Sequence, residues 1–192
     1  MIGAGPAATL SVGTEAGFDF NPTVDRIRLV TSAGQNMRLH PDTGALVDSD
    51  ANSPGIQVDG KLAYAASDVH AGHPPSIVAA AYTYNKSDEK IATKFAIDAA
   101  RGTLVTLGSS EGRLPAVSPN TGHLFTVGNL GLGSIEKTSF DIADLSGIAY
   151  MAAARSGAAN SSWFEVDLAT GNARLIGDVG TSEPLVGIAI EP

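Results

Sequence analysis

Ser162-Trp163-Phe164-Glu165-Val166-Asp167-Leu168-Ala169-Thr170-Gly171-Asn172-Ala173-Arg174-Leu175-Ile176-Gly177 is the stretch whose reading decides the fold. Two short apolar-rich runs flank Ala-Thr-Gly-Asn, with Asp167 just before the turn and Gly177 closing the second run. Glycine supplies the positive φ of a tight turn and the flanking runs favour strand, so the stretch reads as a β-hairpin. Variants recur at Arg-Leu-His-Pro-Asp-Thr-Gly-Ala-Leu-Val (38–47) and at Phe-Ala-Ile-Asp-Ala-Ala-Arg-Gly-Thr-Leu-Val (95–105). A fourth is Ser-Pro-Asn-Thr-Gly-His-Leu-Phe-Thr-Val-Gly (118–128).

Outward from these turns the same grammar continues. Residues 17–22 and 25–30 read as two strands around an Asn-Pro turn, leading into the hairpin at 37–48. A distant copy follows: Phe18-Asp19-Phe20 matches Phe140-Asp141-Ile142, and Ile27-Arg28-Leu29 matches Ala149-Tyr150-Met151 at one offset. Thr9–Val12, Leu62–Ala66, Ile77–Tyr84 and Ile91–Asp98 are further strand-like runs, and Leu185–Ile190 is a last strand with no hairpin partner after it. No window of eleven or more residues keeps apolar residues at helical spacing. The expectation is an all-β single domain over 1–192. Repeats of roughly 40–50 residues fit β-propeller blades of four strands, about 17–50, 60–128 with an insertion, and 138–180. A β-sandwich is the alternative.

Composition narrows the function classes. Apolar content of 43% with 17% charged residues marks a globular chain. A net charge of −8, with twelve scattered basic residues, argues against nucleic acid and anionic membrane surfaces as partners. The chain has no Cys, which removes disulfides, thiolate chemistry and cysteine-ligated zinc. No apolar run approaches the ~20 residues of a membrane span. The first ten residues lack the basic and apolar regions of a signal peptide, so none is expected in this chain.

Three residue sets carry candidate chemistry. Asp68, His70 and His73 lie on a loop with Gly72, Pro74 and Pro75, where they can converge on zinc or a similar ion, with His40 and His123 as distant partners. Asp48, Asp50, Asn52 and Asp59 have the acidic spacing of a calcium loop, although Ser53 stands where such a loop needs Gly. The third set is Arg26, Arg28, Gln35, Asn36 and Arg38, in which alternation places the arginines on one strand face with Asp19 and Asp25 in reach. That set suits ligand binding, but the favoured reading is a buried Arg–Asp network stapling one blade to the next, because closely spaced charged strand residues need internal partners when buried.

Three motif matches fail in context. Gly3–Ala8 imitates a flavin-binding turn without the strand that must precede it. Gly108-Ser109-Ser110-Glu111-Gly112 satisfies G-x-S-x-G, but Pro115 and polar residues stand where a nucleophile elbow needs a helix. Gly128–Gly133 is a Gly-rich loop lacking a phosphate-binding Lys.

The segments Gly-Phe-Asp-Phe-Asn-Pro (17–22), Asp-Arg-Ile-Arg (25–28), Gly-Gln-Asn (34–36), Arg38 and Pro-Asp-Thr-Gly (41–44) resemble a bacterial family known as a domain of unknown function. The similarity extends over about 17–190. It implies an exported, propeller-like protein with no assigned reaction, whose members usually carry further hairpins before the Phe-Asp-Phe-Asn-Pro segment. The expected function is binding of a small ligand or partner through the loops of the ring. The rival from another class is a metal-dependent hydrolase of esters or phosphoesters, in which Asp68, His70 and His73 hold an ion that activates water. About three blades leave two inter-blade faces bare, so an obligate homodimer completing the ring is expected.

Overall fold

A computed structural model describes residues 8–11 and 14–190. The Gly3–Ala8 motif and the strand read at Thr9–Val12 fall largely or partly outside them. Twelve strands form three sheets, and no α-helix occurs among the described residues.

The first sheet is an antiparallel meander of β1 (Ala16–Asn21), β2 (Arg26–Thr31) and β3 (Asn36–Leu39). Beyond Pro41-Asp-Thr-Gly44 the chain returns beside β3, where His40 N–H donates to Ala45 and Val47 N–H to Arg38, although only Leu39 and Leu46 form a bridge. The central sheet runs in the order β4 (Ala63–Tyr64), β8 (His123–Asn129), β7 (Thr103–Leu107), β6 (Lys94–Asp98), β5 (Ile77–Tyr82). The third is β9 (Ile135–Ile142), β10 (Ala149–Arg155), β11 (Ser162–Val166) and β12 (Ala173–Asp178).

The hairpin that opened the sequence reading is β11–β12. Gly171 takes φ 80°, and a Cβ there would meet the Gly128 backbone at 2.7 Å, so two requirements select glycine at once. The run at 118–128 differs from the hairpin read there. Pro119–Thr121 is a single 3-10 turn, capped by the Ser118 side chain, that feeds β8; β8 pairs antiparallel with β7. Leu62–Ala66 also departs from a plain four-strand unit, since β4 pairs parallel with β8 and adds a fifth, outer strand.

Strands β5, β6 and β7 are buried along their whole length because the central sheet is covered on both faces. Val30, Tyr64, Ile77, Ala80, Val105 and Leu124 fill the side toward the first sheet. Phe95, Ile97, Leu104, Phe140, Met151 and Phe164 fill the side toward the third. One edge strand of each sheet meets the others at the middle: β5 packs against both β1 and β9. Gly17 makes the first approach possible, because a Cβ there would lie 2.6 Å from the backbone of Ala79 and Ala80.

Two aspartates tie these inner strands together in the same way. Asp19 of β1 accepts from Phe20 N–H at 2.7 Å and from Tyr82 N–H of β5 at 2.6 Å. Asp141 of β9 accepts from Ile142 N–H at 2.9 Å and from Ile190 N–H at 2.6 Å. The internal copy seen in the sequence is thus a repeated use of one aspartate: Asp19 links the first sheet to the central one, and Asp141 links β9 to the C-terminal segment. Residues 185–190 are not a strand; they lie against β9 through Asp141.

Candidate functional site

Alternation along β2 and β3 puts Arg28 and Arg38 directly opposite each other, on the face turned toward the central sheet. Arg28 is buried and donates along every side. Its Nε reaches Tyr82 Oη at 3.1 Å, Nη1 reaches Asn36 Oδ1 at 2.7 Å and Asp59 Oδ2 at 2.8 Å, and Nη2 reaches Asn120 Oδ1 at 2.6 Å. Arg38 grips Asp59 with two bonds of 2.8 Å from Nε and Nη2. Asn36 Nδ2 donates to the carbonyls of Gly60 and Pro119, which pins two loops to the pair. Burying a guanidinium is tolerable only with such compensation.

Above this network opens a cleft of about 630 Å³. Arg28, Arg38 and Tyr82 line it together with the β1–β2 turn, residues 90–92, and the loop 109–120 between β7 and β8. Glu111 anchors that loop, accepting from Thr83 Oγ1 at 2.6 Å and from Asn85 Nδ2 at 2.7 Å.

Beside the network lies an unusual lysine. Lys94 Nζ is fully enclosed, 4.2 Å from the centroid of the Tyr82 ring and 4.0 Å from Asp19 Oδ2, with no hydrogen-bond partner among the described residues. Burial pushes its pKa down to about 7, with Asp19 opposing and Arg28 adding to the fall. Burial likewise raises the Asp19 carboxyl, against the pull of Lys94. The Tyr82 hydroxyl is raised by burial, opposed by Arg28.

The residues singled out from sequence fall in different places. Arg28, Asn36 and Arg38 belong to one network, as the interleaved pattern suggested. Arg26 stands apart, donating to the Asp25 carbonyl, and Gln35 faces the N-terminal segment through Ser11 N–H and the Thr9 carbonyl. Asp68, His70 and His73 are not gathered within ligating distance of one another. Asp68 braces its loop on β8 by accepting from Thr126 N–H at 2.6 Å and Thr126 Oγ1 at 2.9 Å. Partial burial works to raise its carboxyl, but bonds from Thr126 and His70 outweigh this and hold it below the ordinary range. His70 packs edge-on against Tyr64, His73 is exposed, and His123 lines a separate cavity beside Ala65, Ala66 and Ser67.

Asp48, Asp50 and Asn52 form a self-bonded turn, in which Asp48 accepts from Asp50 and Gln57 N–H, and Asp50 from Asn52 and Ser53. Asp59 does not join them as a ligand, because Arg28 and Arg38 occupy both its oxygens. Among the described residues, the one group of three metal-ligating side chains within 4.8 Å of each other is Asp25, His40 and Asp42. Tyr82, Lys94, Asn120 and the 109–120 loop carried no sequence signal for the site. A lysine opening the apolar run Phe95-Ala96-Ile97 was the nearest hint.

The chain is an all-β protein of three sheets, with a cleft over buried Arg28 and half-buried Arg38 where the first two sheets meet. It belongs to the family described as a domain of unknown function (DUF4394), whose profile matches residues 2–189. No curated protein matches it. The match agrees with the resemblance drawn from the Phe-Asp-Phe-Asn-Pro and Pro-Asp-Thr-Gly segments as far as a domain of unknown function, and that description assigns no activity.

Proposed function

We propose that the protein is a propeller-type binding domain whose cleft over Arg28 and Arg38 takes a small ligand. Three observations support the propeller reading: each sheet contains an antiparallel meander of three or four strands, one edge strand of each sheet meets the others at the middle, and Asp19 and Asp141 each accept from a backbone N–H of the segment packed beside their strand. The observation that carries the binding reading is the cleft itself. At about 630 Å³ it falls within the range of small-molecule sites, roughly 300–1,000 Å³, and its floor is held in place by the bonds of Arg28 and Arg38 to Asp59. Its walls are loops on a rigid sheet frame, the usual placement of binding residues. A fragment library containing neutral, cationic and anionic members, read by amide and Arg Nε shifts in NMR, tests this. Saturable shifts at Tyr82, Ser110 and Asn120 are expected; a library that leaves the cleft unmoved refutes it.

Assembly follows from the same architecture. The outward face of the first sheet carries Phe18 and Phe20, 52% and 59% exposed, beside Leu29 and Ile27. Covering such a face by a second copy, as in the expected homodimer, would remove an association-prone patch. Light scattering that finds only monomer at low micromolar concentration excludes that arrangement. The rival hydrolase reading requires the 68–73 loop to rearrange so that Asp68, His70 and His73 gather around an ion.

A further inference from the structure

We infer that the cleft selects a small organic anion, a carboxylate or phosphate group joined to an apolar body; this rests on the ligand-binding reading above. The chain is strongly acidic, with net charge −8, yet the cleft concentrates the opposite charge. Arg28, Arg38, Lys90 and Arg113 line it, and Glu111 is its one lining carboxylate. Asp59, behind the floor, neutralises only one of the two guanidiniums it touches.

Donor geometry points the same way. Arg38 spends Nε and one Nη2 hydrogen on Asp59, so both Nη1 hydrogens have no acceptor among the described residues. Arg28, the buried partner, retains one Nη2 hydrogen beyond its bond to Asn120. Two guanidiniums held rigidly by a shared carboxylate, each with donors to spare, form a preorganised seat for a forked anion. Glu111 competes weakly for these donors, since Thr83 and Asn85 already hold both its oxygens. The apolar half of the ligand is argued from the mouth, where Val24, Ile91 and Leu114 expose large side chains toward the same space. Side chains of that size left in water gain from an apolar partner.

The test uses phenylacetate, phenyl phosphate and the neutral phenylacetamide, titrated into the whole chain at constant ionic strength. Arg Nε resonances and calorimetry provide the readout. Both anions, or the one whose shape the fork fits, should bind about tenfold more tightly than the amide. Arg38→Met should erase that preference while leaving amide binding in place. A Lys90→Ala/Arg113→Ala double variant, altering two exposed side chains, should weaken the anions several-fold and steepen nothing for the amide. If the amide binds as tightly as the anions, or the variants leave anion affinity unchanged, the anion inference falls and cleft binding stands. If none of the three probes moves the cleft resonances and the fragment library also fails, both readings fall together.

Discussion

Replacing Lys94 by Met should flatten the pH dependence of stability on the alkaline side of neutrality. In the native protein the amine is enclosed with no hydrogen-bond partner among the described residues, and burial brings its pKa from the usual 10.5 to about 7. The unfolded chain keeps the ordinary value near 10.4. Between those limits the native amine has lost its proton and the unfolded one still holds it. The unfolded state therefore binds more protons, and native stability rises with pH by up to about 1.4 kcal/mol per unit. Below pH 7 both states are protonated and the penalty is constant; above about 10.4 both are neutral and it is gone. From pH 7 to pH 10 the contribution reaches ~4 kcal/mol at most. Methionine is unbranched, one atom shorter and apolar, so it fills the stem's space beside the Tyr82 ring and carries no titrating proton; Lys94→Met therefore lacks this contribution. Urea unfolding followed by Trp163, the chain's single tryptophan, at pH 7, 8, 9 and 10 measures the difference. The variant's advantage over the parent should shrink steadily across that range. Parallel pH profiles for the two proteins would show that Lys94 keeps its charge in the fold, and the reasoning would be wrong.

Removing the carboxylate of Asp59 as Asp59→Asn leaves two guanidiniums facing each other with their shared anion gone, and should cost about 3–5 kcal/mol in denaturant unfolding. Gly17→Ala drives a Cβ into the β5 backbone and should cost on the order of 1–3 kcal/mol, read as a lowered midpoint; an unchanged midpoint would mean that β1 and β5 are further apart. Asp141→Ala removes the acceptor for Ile190 N–H, so hydrogen exchange at that amide should accelerate while amides of β10 stay protected. Elemental analysis of the purified chain should find no stoichiometric zinc held by Asp68, His70 and His73; one zinc per chain, lost in His70→Ala/His73→Ala, would revive the hydrolase reading.

Local chemistry was readable wherever a structural requirement falls on neighbouring residues. The Asp-x-x-x-Gly turns at 98–102 and 167–171 each need a positive φ that Gly102 and Gly171 supply, and the hairpins follow. The run at 118–128 has Ser118 in place of the Asp, keeps the glycine as Gly122, and has a different outcome. Pro119 lacks an N–H for a ladder and suits the first turn of a short helix, so only its second half is strand. The arginines of 26–38 were legible as a charged strand face, because alternation is a property of the strand itself. Which acid would neutralise them was not: Asp59 lies twenty-one residues beyond Arg38, past a turn that had its own claim on it as a calcium ligand.

What the amino-acid order determined by itself is the β class, the hairpin turns, the internal copy of the Phe-Asp-Phe segment and the absence of cysteine chemistry. These rest on backbone preferences and side-chain periodicity acting over a few residues. Tertiary structure alone decided that β4 runs parallel to β8, that Asp19 and Asp141 accept from backbone amides 63 and 49 residues away, and that Lys94 loses its contact with water. It also decided that Arg28, Arg38, Lys90 and Arg113 share one cleft. Burial and the pairing of distant charges depend on which sheet faces cover one another, and that is a property of the packed layers rather than of any single strand.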